Sequence, residues 1–178
     1  GKEDILKKLP NQNHQFLEDN YPYTINPGGP NHEELVSLIG IYDYLMALYS
    51  HHFENINLST RNKINLINDL ISKHEEEIAN PILKFIANRE DLKLIGKKEI
   101  KKKGRAPTIS FISKKRKSAE VSKILVSNNI ATRNDNFYAW RCLKALNINT
   151  DDGVVRLSMA HYNSHIDTEN VIKGLKKI

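Results

Sequence analysis

The chain has 178 residues, enough for one domain with a sizeable core or a compact domain with flanking helices. With 39% hydrophobic and 27% charged residues it suits a soluble globular protein, and no apolar run is long enough to cross a bilayer. The single cysteine, Cys142, excludes an internal disulfide framework and fits a reducing compartment, so the chain is read as cytoplasmic.

In chain order, Lys2 to Leu9 reads as a short helical turn carrying Ile5, Leu6 and Leu9 on one side. Residues 10–30 are rich in Asn, Pro and Gly and predict irregular structure. Asn31 then caps a helix to about His51, with Leu35, Leu38, Ile39, Tyr42, Leu45, Met46 and Tyr49 at the spacing of a buried face. A second long helix is expected to start after Ser59 and run to about Asn88, with Ile64, Ile67, Leu70, Ile71, Ile78, Ile82, Leu83 and Ile86 as its apolar positions. Pro81 lies inside that pattern and should kink or split it.

After Arg89 the period changes. Leu92 to Ile95 and Thr108 to Ile112 read as strands joined by a lysine-rich turn, and Ser118 to Ser127 as a helix. A strand at Ile130 to Arg133, a short helix at Tyr138 to Leu146 and a strand at Val154 to Ala160 follow. Ser164 with Asp167 forms an N-cap pairing for a closing helix whose inward stripe is Val171, Ile172 and Leu175. Such mixing predicts an α/β (α+β) fold: a small, mostly antiparallel sheet with helices on one face, preceded by two long helices. No internal repeat is present.

Arg156 is the odd residue, an arginine in the middle of a strand that otherwise reads as buried. A guanidinium there needs an anionic partner, so Arg156 is either half of a structural ion pair or a carboxylate clamp. Net charge is +6, and much of the excess is local: Lys97, Lys98, Lys101, Lys102, Lys103 and Arg105, then Lys114 to Lys117. These clusters flank one strand and could track a phosphate backbone. They lack interleaved aromatics and any groove-reading motif, so nucleic-acid binding is disfavoured and a solvated surface is the simpler reading. The run Glu75-Glu76-Glu77 reads as a solvated helix face. No metal site is expected, because His161 and His165 fall where strand turns into helix and no carboxylate or thiol cluster completes a shell.

The stretch Val-Arg-Leu-Ser-Met-Ala-His-Tyr-Asn-Ser at residues 155–164 resembles the C-terminal signature of class V aminotransferases, and within them the cysteine desulfurase-like proteins. Three further stretches fit in order. Asn26-Pro27-Gly28-Gly29-Pro30-Asn31 resembles the family's Gly-Thr/Gly-Pro-Asn segment. Residues 105–111, from Arg105 to Phe111, resemble the strand that opens the small C-terminal domain, and residues 130–139 resemble the loop that carries the desulfurase cysteine.

The resemblance implies a fold-type-I enzyme dependent on pyridoxal phosphate (PLP), in which a lysine forms a Schiff base with PLP and an aspartate pairs with its ring nitrogen. Both would belong to a large domain ahead of this chain. The resemblance therefore implies no Schiff-base lysine and no catalytic residue here, and a fragment inactive alone with no PLP bound. It makes Arg156 the substrate α-carboxylate contact, Arg133 a second arginine beside the active-site loop, and Gly28 and Gly29 the segment approaching the PLP phosphate across a homodimer interface. Counting five residues from Arg133 gives Tyr138 where desulfurases present a cysteine, while Cys142 is expected inside the short helix, partly buried. That departure argues against the persulfide route and leaves lyase or transaminase chemistry on an amino acid open. Residues 1–30 are then a segment linking from the missing large domain, 31–90 long helices, and 91–178 the small domain. The chain begins with Gly and reads as a processed or excised piece. The rival readings are a basic nucleic-acid-binding domain and a non-catalytic interaction module.

Overall fold

The computed structural model describes residues 2–178 except 19, 21, 22, 27, 55, 56, 102 and 103. It divides into two compact units, Gly1–Ile64 and Asn65–Ile178, each treated on its own below. Of the sequence motifs, Pro27 and the lysines Lys102 and Lys103 lie outside the described residues.

The first unit holds α1 (Glu3–Leu6), a 3-10 turn at Gln15–Leu17, α2 (His32–His52) and the first residues of α3 (Thr60–Ala87). Asn31 caps α2 as expected, its Oδ1 accepting from the Glu34 N–H at 3.0 Å. The expected buried face of α2 is not buried. Only Tyr49 is enclosed, while Leu35, Leu38, Ile39 and Tyr42 are exposed, as are Val36, Ile41 and Tyr44 on other sides of the helix. Apolar residues surround this helix, so its sequence period did not single out a covered side.

The second unit is a four-stranded antiparallel sheet, with β1 (Leu92–Ile95), β2 (Thr108–Ser113), β4 (Val154–Ser158) and β3 (Arg133–Asp135) side by side in that order. Helices α4 (Ser118–Val126) and α6 (His165–Leu175) alternate with the strands, and α3 runs unbroken through Pro81 rather than splitting there. One sheet face carries Ile109, Phe111, Val155 and Leu157, which pack with Ile82, Leu83 and Ile86 of α3, Val121 and Leu125 of α4, and Val171 and Leu175 of α6. This is the main core, and burial of an Ile or Leu side chain contributes about 1.5–3 kcal/mol. The short helix α5 (Trp140–Ala145) departs from the one-sided layering. Its Leu143 forms a second small cluster with Ile148 and Val154, against which Ile95, Ile112 and Phe137 pack, on the other sheet face.

Local signals explain most of the boundaries. Ser164 and Asp167 form a capping box at the start of α6, with the Ser164 N–H donating to Asp167 at 2.8 Å. The strand expected at Ile130 begins only at Arg133. Asn129 ends α4 in the left-handed region (φ 60°) and turns Ile130 into the core, where its N–H donates to the Leu125 carbonyl at 3.0 Å. The two basic clusters do lie at opposite ends of the β1–β2 hairpin, one in its connection and the other after β2.

Candidate functional site

Strand β4 is central, so its alternating residues meet different neighbours on the two faces. Val155 and Leu157 enter the main core, whereas Arg156 points to the other face and is half-buried. Its register partners are Ser110 on β2 and Arg133 on β3, so the sheet aligns Ser110, Arg156 and Arg133 in one row across three strands. Directly opposed side chains of an antiparallel pair have Cβ atoms about 4.5–5.5 Å apart, and like charges there destabilise the pairing. Among the described residues neither arginine is ion-paired with a carboxylate. The structural ion pair that sequence alone allowed for Arg156 is therefore absent among them.

Arg156 is instead held by an aromatic ring. Its guanidinium carbon lies 4.2 Å from the centroid of Phe137, within cation–π range. Its Nε is buried without a hydrogen-bond partner. Buried polar groups are ordinarily satisfied, so an orphaned guanidinium nitrogen marks a place for an acceptor. Arg133 is exposed and supplies a second cation beside it.

The loop that delivers Phe137 is strained and firmly anchored. Phe137 and Tyr138 both adopt positive φ, 52° and 60°, which costs a non-glycine residue of order 1–3 kcal/mol. Asn136 holds the turn: its Oδ1 accepts from the Tyr138 N–H at 3.0 Å and its Nδ2 donates to the Thr150 carbonyl at 3.3 Å. Gly153 (φ 68°) lets the β4 lead-in pass directly over this turn, for a Cβ there would sit 2.2 Å from the Asp135 carbonyl carbon. The neighbouring Asp152 accepts from the Ser118 N–H at 2.9 Å and so serves the start of α4. The result is a tyrosine held out almost completely, with Tyr138 99% exposed.

The structure brings Arg133 and Arg156 together and adds Ser110 and Phe137, which sequence reasoning had not assigned to the site. The strand register supplies Ser110, and the left-handed turn supplies Phe137. Gly28 and Gly29 belong to the first unit, where a Cβ on either would meet nothing within 4 Å and neither has a positive φ. Cys142 is exposed rather than partly buried, because its neighbour Leu143 takes the inward position of α5. Glu75 and Glu76 are half-buried and only Glu77 is solvated. Burial pushes the Glu75 carboxyl up, against the opposing pull of His161 and His74. Asn163 caps the turn before α6, its Oδ1 accepting from the Ala160 N–H at 2.9 Å. No group of three or more His, Cys, Asp or Glu that could hold a metal occurs among the described residues, and no described helix is long and apolar enough to cross a membrane.

The family model Aminotransferase class-V matches residues 62–171, from within α3 to within α6. The chain belongs to the class V aminotransferase family. The match takes in Arg133, Phe137 and Arg156 but not Gly28 and Gly29. The chain is 25% identical over 111 residues to the aminotransferase-like protein FGM3 of Gibberella zeae, covering 62% of this chain and 28% of that protein. Its fold is similar to the cysteine desulfurase CsdA of Escherichia coli, with a TM-score of 0.64 at 16% identity over 88% of this chain and 32% of that one. The apo cysteine desulfurase of Thermococcus onnurineus gives a TM-score of 0.54 at 23% identity over 66% of this chain and 29% of the other. The chain therefore spans about a third or less of each relative's length. Class V aminotransferases depend on PLP in their full-length form.

Proposed function

We propose that this chain is the C-terminal part of a PLP-dependent, cysteine desulfurase-like enzyme acting on an amino acid. Residues 1–30 link from a large domain, 31–90 are the long helices, and 91–178 form the small domain. Arg156 holds the substrate α-carboxylate, with Arg133 as the second cation of the same pocket. The reading is carried by the Arg156–Arg133 pair: two opposed cations, one with a buried, unpartnered Nε, and no carboxylate paired with either among the described residues. A substrate carboxylate would relieve the repulsion and fill the empty acceptor position, which a planar guanidinium suits.

The fit to the cofactor itself is peripheral. Among the described residues nothing demands glycine at 28 or 29, since both have open space where a Cβ would be. That is consistent with a backbone approach to something outside the described chain, the cofactor phosphate. When bound, PLP supplies an electron sink for bonds broken at the substrate Cα. This chain's part is to bind the carboxylate, orient the amino acid and wall the site with Phe137. Tyr138 stands where a desulfurase presents its thiol, so the reaction is a lyase or transferase step other than persulfide formation. With the Schiff-base lysine expected in the large domain, the fragment alone is inactive, and the full-length enzyme is a cytoplasmic homodimer.

The test is Arg156→Ala in the full-length enzyme. Truncating one partner of a buried charge pair costs about 2–5 kcal/mol, so kcat/KM should fall by at least about thirtyfold. Kinetics unchanged by that substitution would sink the assignment.

A further inference from the structure

A second polar feature of the Asn65–Ile178 unit shares no residue with the arginine row. A cleft of about 680 Å³ opens between the C-terminal part of α3 and the β1–β2 connection, lined by Asn80, Lys84, Asn88, Lys97, Lys98 and Lys101, with Glu99 its single acid. Asn80 and Lys84 lie one turn apart on one face of α3, and Asn88 follows just past its end. Described residues of the opposing lysine-rich connection are held by hydrogen bonds. Asn80 pins it from α3, donating to the Ile100 carbonyl at 3.0 Å and accepting from the Ile100 N–H at 2.7 Å, while the Ile100 side chain is buried. Lys97 closes the connection on itself by donating to the Gly104 carbonyl at 2.9 Å. Arg105 braces its base, donating to the carbonyls of Lys97 and Thr108.

Three further lysines, Lys84, Lys98 and Lys101, all exposed, line the same space. Among the described residues none of the three is ion-paired. With four lysines against the one acid, Glu99, the lining carries an excess of positive charge, which an anion in the cleft would offset. The donors identify its kind. Separate ammonium groups act as point charges suited to a ligand whose charge is spread along its length, whereas single carboxylates favour a planar guanidinium. The lining contains no aromatic side chain and one small apolar one, Ala87, so nothing is present to hold a base or an apolar moiety.

We propose that this cleft binds an oligophosphate chain, either free or as the phosphate tail of a nucleotide. The proposal is independent of the PLP reading and can be tested on this chain. Tripolyphosphate is titrated into the isotopically labelled protein at about 0.15 M salt, where contacts between exposed charges are largely screened beyond a Debye length of ~8 Å. Saturable binding with amide shifts concentrated at residues 80–88 and 97–101 is expected. The double substitution Lys84→Gln with Lys98→Gln should weaken it at least about tenfold. Lys114→Gln with Lys115→Gln should leave it unchanged. ATP binding as tightly as tripolyphosphate would identify the free chain as sufficient, and tighter ATP binding would identify the nucleotide tail; either supports the site. Shifts centred on residues 114–117 or on the arginine row would overturn it. So would the absence of saturation, or a single-stranded oligonucleotide that binds far more tightly than tripolyphosphate.

Discussion

Gly153→Ala probes whether the loop that positions Phe137 is rigid for the reason given above. Two costs arise. Alanine at φ 68° enters the left-handed region, at about 1–2 kcal/mol. Its Cβ would lie 2.2 Å, 2.3 Å and 2.6 Å from the Asp135 carbonyl carbon, its oxygen and the Asn136 nitrogen, all backbone atoms that no rotamer change can move. Relieving that overlap separates β4 from the turn, and overpacking of this kind costs typically 1–3 kcal/mol. The sum is about 2–5 kcal/mol, a large share of a domain's ordinary 5–15 kcal/mol. Urea denaturation followed by Trp140, the only tryptophan and the first residue of α5, should show the midpoint falling with little change in slope. Gly28→Ala is the internal control, since its Cβ meets nothing within 4 Å and stability should change by under about 0.5 kcal/mol. A Gly153→Ala loss below about 1 kcal/mol would refute the rigid-turn argument. The account of Phe137 braced against Arg156 would fall with it.

Two further outcomes concern the rest of the small domain. Asp91 is held at about 2, below its ordinary value of 3.8, chiefly by hydrogen bonds from Arg89, whose Nε donates to it at 2.8 Å. A depressed folded value means this contribution is fully present above about pH 4 and is lost as pH falls through about 2. Asp91→Asn should therefore flatten the fall in unfolding midpoint between pH 4 and pH 2, and an unchanged pH profile would contradict the assignment. Thr168 is buried on α6 and donates to the Ile78 carbonyl of α3 at 2.8 Å, so Thr168→Val should lower stability by about 0.5–1.5 kcal/mol in equilibrium unfolding. A more stable valine variant would mean that apolar packing, not the hydrogen bond, joins the two helices.

The parts of this fold legible in the sequence are those fixed by local chemistry. Asn31 and Ser164 each accept a backbone N–H at a helix start, and Leu92 to Ile95 and Thr108 onward alternate as paired strands. What misled were features settled by distant neighbours. The apolar period of α2 predicts a buried face, yet burial depends on what lies opposite, and Val36, Ile41 and Tyr44 extend the apolar surface around the helix. Of the kink or split expected at Pro81 the split does not occur: Pro81 forbids one backbone hydrogen bond, but the neighbouring Ile78, Ala79, Ile82 and Leu83 are all buried and α3 stays continuous. Ile130 has the β-branched shape of a strand residue, and the left-handed Asn129 before it spends that shape on the core instead.

The site was half legible for the same reason. An arginine between Val155 and Leu157 stands out in any apolar strand, because alternation must send it to the face opposite its neighbours. Its partners do not stand out. Arg133 lies 23 positions away by sequence number and becomes adjacent only through the β3–β4 register. Phe137 reaches the guanidinium only because two consecutive non-glycine residues adopt positive φ, a conformation that no propensity favours. Strain of this size persists where surrounding contacts over-determine it, and here Asn136 and Gly153 do so from both sides. A turn kept merely for chain reversal could have used glycine at 137 or 138 without that cost. With Phe137 and Tyr138 in it, the same turn sets an aromatic ring 4.2 Å from the Arg156 guanidinium and leaves the tyrosine exposed.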